Sequence, residues 1–184
     1  DLNGIGLELI IKTVNNSKLL ELCTPIVFCS GKAINFYRKS MPEINFNFQN
    51  IKDFSRINPK QVNIFSCWEE DVAITPGQLT EEGGKYAVLS LTTAVQALKD
   101  GHIQGLVTAP INKKNTQGDA FPYTGHTPYL KAAFDAKEVV MMMVASNMRV
   151  ALLTEHVPVS AVGPYITKTN ILAKLRLVEE CLVK

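Results

Sequence analysis

Apolar and polar residues along the chain follow the period of a helix in some segments and the pattern of a strand in others. A helical spacing of apolar residues covers residues 6–22 and 83–98 and returns from residue 160 onward. Short apolar runs, or alternation of apolar and polar residues, indicate strands at residues 26–29, 44–48, 61–66 and 103–107. Helices and strands that alternate in this way predict an α/β fold with a largely parallel sheet.

Two further apolar runs, residues 139–144 and 149–153, are joined by Ser146 and Asn147. Because the connection is so short, it predicts an antiparallel hairpin, which makes the predicted sheet mixed. Ligands of such sheets collect in the loops beyond the carboxyl ends of the strands. We therefore expect a site in three loops: after Val107, between Gly118 and Tyr129, and after Leu153.

The composition is typical of one globular domain, or of one domain and part of another. The chain has 184 residues, of which 46% are hydrophobic and 20% are charged. A net charge of +2 excludes a nucleic-acid-binding protein recruited by bulk charge. The uncharged stretch Val139–Met148 has half the length of a membrane span, so we expect no membrane protein. The four cysteines form no C-x-x-C pair, which predicts reduced thiols and a cytoplasmic location.

The three histidines are the clearest candidates for chemistry. His102 follows a predicted helix end and is expected to be a solvated loop residue. His126 lies in a loop of small polar residues, and His156 follows an apolar strand. For both of these, a structural, hydrogen-bonded role and a functional role stay open. Because metal sites usually need three or more protein ligands, a metal here would take others from carboxylates, a further segment or another chain.

Two loops have groups that suit a phosphate. The turn Gly4–Gly6 precedes a helix and could present backbone N–H groups to a phosphate, although a tight structural turn is the favoured interpretation. The segment Thr108–Lys113 offers a hydroxyl, an amide and a cation around a proline. A solvated lysine is the simpler interpretation of Lys113. Taken alone, the residues predict an α/β protein with a histidine-bearing site that suits phosphate.

Six segments, in this order along the chain, resemble the 4-hydroxythreonine-4-phosphate dehydrogenase family of pyridoxal-phosphate biosynthesis. They are Asp1–Glu8, Pro76–Leu79, Thr108–Lys113, Pro122–Thr127, Val139–Met142 and Arg149–His156. The resemblance extends over the whole chain but over only the amino-terminal half, or slightly more, of such an enzyme. The sequence opens without methionine and closes inside an amphipathic pattern. We therefore expect residues 1–184 to be the amino-terminal portion of a two-domain dehydrogenase whose carboxyl-terminal half is absent.

The resemblance implies an isopropylmalate-dehydrogenase-like fold, with a mixed, mostly parallel sheet and helices on both faces. It also implies a homodimer whose subunits share each active site. The implied reaction is the oxidation of 4-phosphooxy-L-threonine, with decarboxylation, by NAD (or NADP) and a divalent metal (zinc, magnesium or cobalt). His126 and Thr127 resemble the substrate-binding pair, and His156 resembles one of three metal-binding histidines. The resemblance assigns no catalytic or cofactor-binding residue within this chain.

Three alternatives remain at this stage. A paralogous enzyme that oxidises 4-phospho-D-threonate or 4-phospho-D-erythronate would share all six segments. A non-catalytic ligand-binding domain belongs to another class, and metal titration separates it from the enzyme, since a lone His156 should bind weakly. A phosphate-acyltransferase-like enzyme is less favoured, because it would leave the histidine-bearing loops without a role.

Overall fold

The computed structural model describes residues 1–44 and 47–182, which divide into two compact units. The first unit comprises Asp1–Tyr129, and the second begins at Leu130. Helices of the first unit are α1 (Gly6–Val14), α2 (Leu19–Leu22), α3 (Gly31–Lys39), α4 (Glu81–Lys99) and α5 (Lys113–Thr116). Its strands are β1 (Ile26–Cys29), β2 (Phe48–Ile51) and β3 (Val62–Ser66). Helix α6 (His126–Ala133) begins in the first unit and continues into the second.

The strands of the first unit form a parallel sheet in the order β1-β3-β2. The predicted strands at 26–29 and 61–66 are confirmed as β1 and β3. The predicted strand at 44–48 overlaps β2 only at Phe48, and residues 45 and 46 lie outside the described residues. The α/β class with a parallel sheet is thus confirmed, and its strands point their carboxyl ends toward one edge.

The central strand β3 buries a polar side chain whose hydrogen bonds are satisfied. Asn63 is fully buried, and its Nδ2 donates to the carbonyls of Asn58 and Gln61 at 2.9 and 3.0 Å. Its Oδ1 accepts from the backbone N–H of Asn58 at 2.9 Å. Because an unpaired buried polar group costs free energy, this amide ties the loop before β3 to the strand.

Helix α1 ends earlier than the apolar pattern predicts. A single helix over residues 6–22 is wrong, because the chain turns after Val14 and resumes as α2. The side chain of Asn16 accepts a hydrogen bond from the N–H of Lys18 at 3.1 Å, a local bond that competes with the helix. The apolar face of α1 is nevertheless buried, with Ile11 fully inaccessible, and α1 packs on α3.

Helix α4 confirms its prediction and extends it to Glu81–Lys99. Thr80 caps the helix, since its Oγ1 accepts from the N–H of Gly83 at 3.0 Å. Glu81 and Glu82 lie in the first turn, where negative charge is favoured by the helix dipole. Most of the predicted stripe is buried: Ala87, Leu91, Ala94 and Val95.

The predicted strand at 103–107 is wrong. The structure places no strand between α4 and α5, and the side chain of Val107 is 98% exposed. An isolated strand leaves its backbone groups without partners, and no segment among the described residues pairs with this one. The apolar run by itself therefore does not suffice to form a strand.

The second unit contains the predicted hairpin and two helices. Strands β4 (Met142–Ala145) and β5 (Met148–Ala151) pair antiparallel, with Ser146 in the left-handed region at φ 43°. The hairpin is confirmed, but it forms its own two-stranded sheet, so the prediction that it joins the parallel strands in one mixed sheet is wrong. Strands β4 and β5 pair only with each other among the described strands. Both outer edges of the hairpin therefore have no strand partner there.

The helices that follow the hairpin are α7 (Val159–Tyr165) and α8 (Lys168–Leu182). They confirm the helical pattern from residue 160 onward. Lys174 of α8 donates to the carbonyl of Val139 at 2.6 Å and pairs with Glu138 at 3.6 Å, which holds α8 against the segment before β4. None of the described helices combines the length and the apolar character that crossing a membrane requires.

The amide of Asn63 generates a first prediction. In N63A, buried groups of Asn58 and Gln61 lose their partners, so we expect the free energy of unfolding to fall by about 2–3 kcal/mol. Urea denaturation of the purified protein measures the change. A matched control is Q49A: Gln49 is the register partner of Asn63 on β2 and donates only one bond, to the Arg56 carbonyl at the surface. Equal losses in both variants would contradict the role of the buried amide.

Candidate active site

The buried side chain of Asn3 joins two loops of the first unit, the amino-terminal loop and the loop at residues 75–80. Its Oδ1 accepts from the N–H of Thr75 at 2.8 Å, and its Nδ2 donates to Oγ1 of Thr80 at 2.9 Å. The backbone carbonyl of Asn3 accepts from the N–H of Gly77 at 2.7 Å. The amino-terminal loop and the loop at residues 75–80 are thereby fixed to each other and to the start of α4.

The third loop, which leads into α5, packs against the same helix end. Asn115 donates from Nδ2 to the carbonyl of Thr80 at 2.8 Å. A Cβ on Gly84 would lie 1.8 Å from the carbonyl oxygen of Asn115, so only glycine permits this approach. Likewise, a Cβ on Gly6 would lie 2.9 Å from Cβ of Ala109. The two glycines therefore allow the loop at 108–116 to pack closely on both α1 and α4.

The fourth loop brings His126 to this cluster. Gly125 is buried with φ 154°, and its nearest side-chain neighbour is Lys113: a Cβ there would lie 3.4 Å from Cε and 3.9 Å from Nζ. His126 follows directly as the first residue of α6 and is half-buried, while Thr127 is exposed. Lys113, His126 and Thr127 therefore belong to one edge of the first unit.

The electrostatic surroundings of His126 favour its neutral form. Burial lowers the pKa of its imidazole below the ordinary value of 6.5, and the positive charges of the amino terminus and, to a smaller extent, of Lys113 lower it further. At pH 7 the ring is therefore neutral, with one nitrogen as donor and the other as acceptor. No hydrogen bond from this ring to another described residue competes with a ligand.

Three aromatic rings hold the His126 loop in place. Phe121, Tyr123 and Tyr129 contact one another pairwise, with ring centroids 5.1–5.3 Å apart. Phe121 is buried, and its backbone pairs with Gly118 in both directions. Sequence reasoning missed this cluster; the spacing of three aromatic residues within nine positions was the available signal.

His156 lies in the second unit, in the loop between β5 and α7. It is exposed and has a left-handed backbone with φ 55°, a conformation that is uncommon for residues other than glycine. The described part of the chain gives its imidazole no hydrogen bond, so its nitrogens are free to bind a metal. The donor chemistry thus fits one ligand of a divalent ion. Within the described residues, however, no three His, Cys, Asp or Glu side chains form a metal-binding group.

The third histidine is outside the candidate site. His102 is exposed, as expected of a solvated loop residue. Its ring stacks on Phe54, with centroids 4.3 Å apart and planes within 13°. This stacking gives His102 a packing role at the end of α4.

A cavity elsewhere in the first unit is a weaker candidate. It has a volume of about 410 Å³ and lies at the carboxyl end of β2. Two of its three charged residues already have partners, because Lys52 pairs with Glu69, and Asp53 accepts from both N–H and Oγ of Ser55 at 2.9 Å. The four converging loops are the better site, because the side chains of His126 and Lys113 have no hydrogen-bond or ion-pair partner among the described residues.

The converging loops contain four of the six segments on which the family resemblance rests. Comparison with known proteins supports this resemblance. The family model for pyridoxal phosphate biosynthetic protein PdxA matches residues 21–184. The chain belongs to the PdxA family. A PdxA-family relative from Bacteroides thetaiotaomicron, named 4-hydroxythreonine-4-phosphate dehydrogenase, is 34% identical over 99% of this chain and 50% of its own length. One from Sulfurihydrogenibium, with the same name, is 30% identical over 97% of this chain and 54% of its own length.

Solved structures agree with the PdxA assignment. A crystal structure of a 4-hydroxythreonine-4-phosphate dehydrogenase from Burkholderia phymatum superposes with a TM-score of 0.85 at 26% identity, over all of this chain and 56% of the other. One from Klebsiella pneumoniae, at 19% identity, shares the fold with a TM-score of 0.84. The family resemblance and the α/β class are confirmed, whereas the isopropylmalate-dehydrogenase-like arrangement stays a prediction. The chain spans about half the length of the curated relatives it matches.

The close approach at Gly84 can be tested directly. In G84A the new methyl group would collide with the backbone of Asn115, so we expect a loss of about 3 kcal/mol in the free energy of unfolding. Chemical denaturation measures it. G118A is the control, because a Cβ at Gly118 meets no atom within 4 Å. A loss of the same size in G118A, or no loss in G84A, would contradict the tight packing of α4 on the α5 loop.

The lowered pKa of His126 predicts a pH dependence of stability. Below about pH 6.5 the unfolded chain binds a proton that folded His126 resists, so the free energy of unfolding falls as pH falls from 7 toward 5. In H126Q this part of the decrease should disappear. Urea titrations at about pH 7, 6 and 5 measure the difference. H102Q, which changes an exposed histidine outside the site, should keep the decrease; an unchanged slope in H126Q would refute the assignment.

Proposed function

We propose that the complete protein containing this chain oxidises the secondary alcohol of 4-phosphooxy-L-threonine. The substrate loses a hydride to NAD and its hydroxyl proton to a base or solvent, and the resulting β-keto acid releases carbon dioxide. The observation that carries the proposal is that four family-like loops, one of which carries His126, pack against one another in the first unit. Relatives that bear the name 4-hydroxythreonine-4-phosphate dehydrogenase support the substrate class.

His126 and Thr127 are proposed to bind the substrate. The neutral imidazole offers one donor and one acceptor, and the exposed Thr127 hydroxyl adds a group that can do either. Both residues stand at the first turn of α6, whose position is fixed by the aromatic cluster of Phe121, Tyr123 and Tyr129. This support orients the two side chains before the substrate arrives, which reduces the entropy lost on binding.

His156 is proposed as one ligand of a divalent ion such as zinc, magnesium or cobalt. When bound, such an ion would polarise the substrate hydroxyl and stabilise developing negative charge on oxygen, while the nicotinamide of NAD or NADP would accept the hydride. The imidazole of His156 is exposed and free of protein hydrogen bonds, which suits this role. The remaining ligands are proposed to come from a second subunit of a homodimer or from the part of the relatives' length that this chain does not span.

The state of the cysteines supports a reducing location. All four are free thiols, and burial raises the pKa of Cys67 to about 12 and that of Cys29 still further. Thiols that remain protonated at pH 7 are poor nucleophiles, so these two are structural. We therefore propose the cytoplasm as the location.

The decisive experiment assays the full-length protein with NAD and a divalent metal on three substrates: 4-phosphooxy-L-threonine, 4-phospho-D-threonate and 4-phospho-D-erythronate. NADH formation with the first substrate is expected to exceed that with the other two. The reverse order would assign the paralogous sugar-acid activity. No turnover with any of them, in a folded protein saturated with metal, would favour a non-catalytic binding protein.

Site variants test the proposed roles in the same assay. H156A should lower metal-dependent kcat at least about a hundredfold, whereas H126A should raise KM about tenfold. H102A is the matched control and should change neither constant, because His102 lies outside the site. Normal metal-dependent turnover in H156A would overturn the ligand assignment, and normal kinetics in H126A would remove His126 from the site.

A further inference from the structure

We propose that Lys113 is a third substrate-binding residue and that its ammonium group holds the phosphate of the substrate. The proposal rests on the function proposed above and names the residue that supplies positive charge to that site. It starts from the position of Lys113 beside the loop that carries His126 and Thr127.

The first support is that Lys113 has no carboxylate partner among the described residues. Four of the described lysines do pair with a carboxylate: Lys12, Lys32, Lys52 and Lys174. Lys113 makes no ion pair or side-chain hydrogen bond with any residue in 1–44 or 47–182. An exposed ammonium group whose charge acts on a half-buried imidazole, and which has no carboxylate partner among the described residues, attracts an anion.

The second support is that the end of the Lys113 side chain lies beside the loop that carries His126. A Cβ on Gly125 would lie 3.4 Å from Cε and 3.9 Å from Nζ of Lys113, which is van der Waals contact. The base of the side chain is anchored: Oδ1 of Asn112 accepts from the N–H of Lys114 at 3.0 Å and caps α5. Lys113 thus faces Gly125, while Lys114, the next residue, is not among the nearest atoms of that glycine.

The chemistry of the site matches a phosphate monoester better than a carboxylate. A phosphate carries a charge between −1 and −2 at pH 7 and three acceptor oxygens. Lys113 supplies a full positive charge, the neutral His126 supplies one N–H donor, and Thr127 supplies a hydroxyl. These three donors correspond in number to the phosphate oxygens, and a carboxylate would leave part of this set unused.

The first test needs no variant and uses inorganic phosphate as the probe. The full-length protein is treated with a limited amount of formaldehyde and borohydride, and methylation of each lysine is read by peptide mass spectrometry. Phosphate should slow the labelling of Lys113 several-fold relative to acetate at equal ionic strength, while Lys114 in the same turn serves as the internal control. Equal labelling of Lys113 with and without phosphate would overturn the proposal.

The second test compares K113M with K114M in the dehydrogenase assay. K113M should raise KM for the phosphorylated substrate at least about tenfold and weaken competitive inhibition by inorganic phosphate equally, and K113R should restore part of both. K114M should match the unchanged protein. An unchanged KM in K113M overturns the role of Lys113 alone. Phosphate protection of Lys113 in a protein that oxidises none of the three substrates would refute the proposed reaction and support the phosphate site.

Discussion

The buried amide of Asn3 is the interaction on which the arrangement of the site depends. It uses its oxygen and its nitrogen at once, accepting from Thr75 and donating to Thr80. An aspartate of the same shape could accept but not donate, and an alanine would leave two buried groups unpaired. Because Thr80 also caps α4 and accepts at its carbonyl from Asn115, a single network fixes three loops.

This network explains why residues far apart in sequence act as one unit. A carboxyl edge of a parallel sheet usually gathers functional loops, yet Lys52 and Asp53 in the strand-end cavity of this sheet already have partners. Instead, the amino-terminal end of α4 gathers them, through hydrogen bonds from Asn3 and through the absence of a side chain at Gly84. The site is thus organised by the start of a helix rather than by the sheet.

The sequence predicts those features that local physics determines. The amphipathic period of α4, the turn of the hairpin and the strands β1 and β3 depend on residues close in sequence, and the structure contains all of them. The break after Val14 is accompanied by a hydrogen bond from the N–H of Lys18 to the side chain of Asn16. The spacing of apolar residues cannot predict such a bond. The prediction of a strand at 103–107 is wrong because a strand needs a partner segment for pairing, and the apolar run does not specify one.

The candidate site likewise has residues that the sequence predicts and one that only the fold reveals. His126 and His156 are recognisable because histidine in a polar loop is informative, and the family resemblance then gives each a proposed role. Lys113 is not recognisable by residue type, because most lysines are solvated. Lys113 is a candidate because it lies beside Gly125, which is twelve positions away in sequence and adjacent only after folding. Lys113 therefore becomes a candidate for binding because it has no carboxylate partner among the described residues and its side chain ends beside Gly125.

The positive charge of Lys113 and the neutral state of His126 suit the different roles proposed for these two residues. Were His126 protonated in the absence of substrate, it would repel the Lys113 ammonium, and burial makes that state still less favourable. A neutral ring can instead sit beside the cation at no electrostatic cost and supply a directed N–H. In the proposed site, the positive charge of Lys113 and the directed N–H of His126 would act together on an anionic ligand, which neither residue would bind as selectively alone.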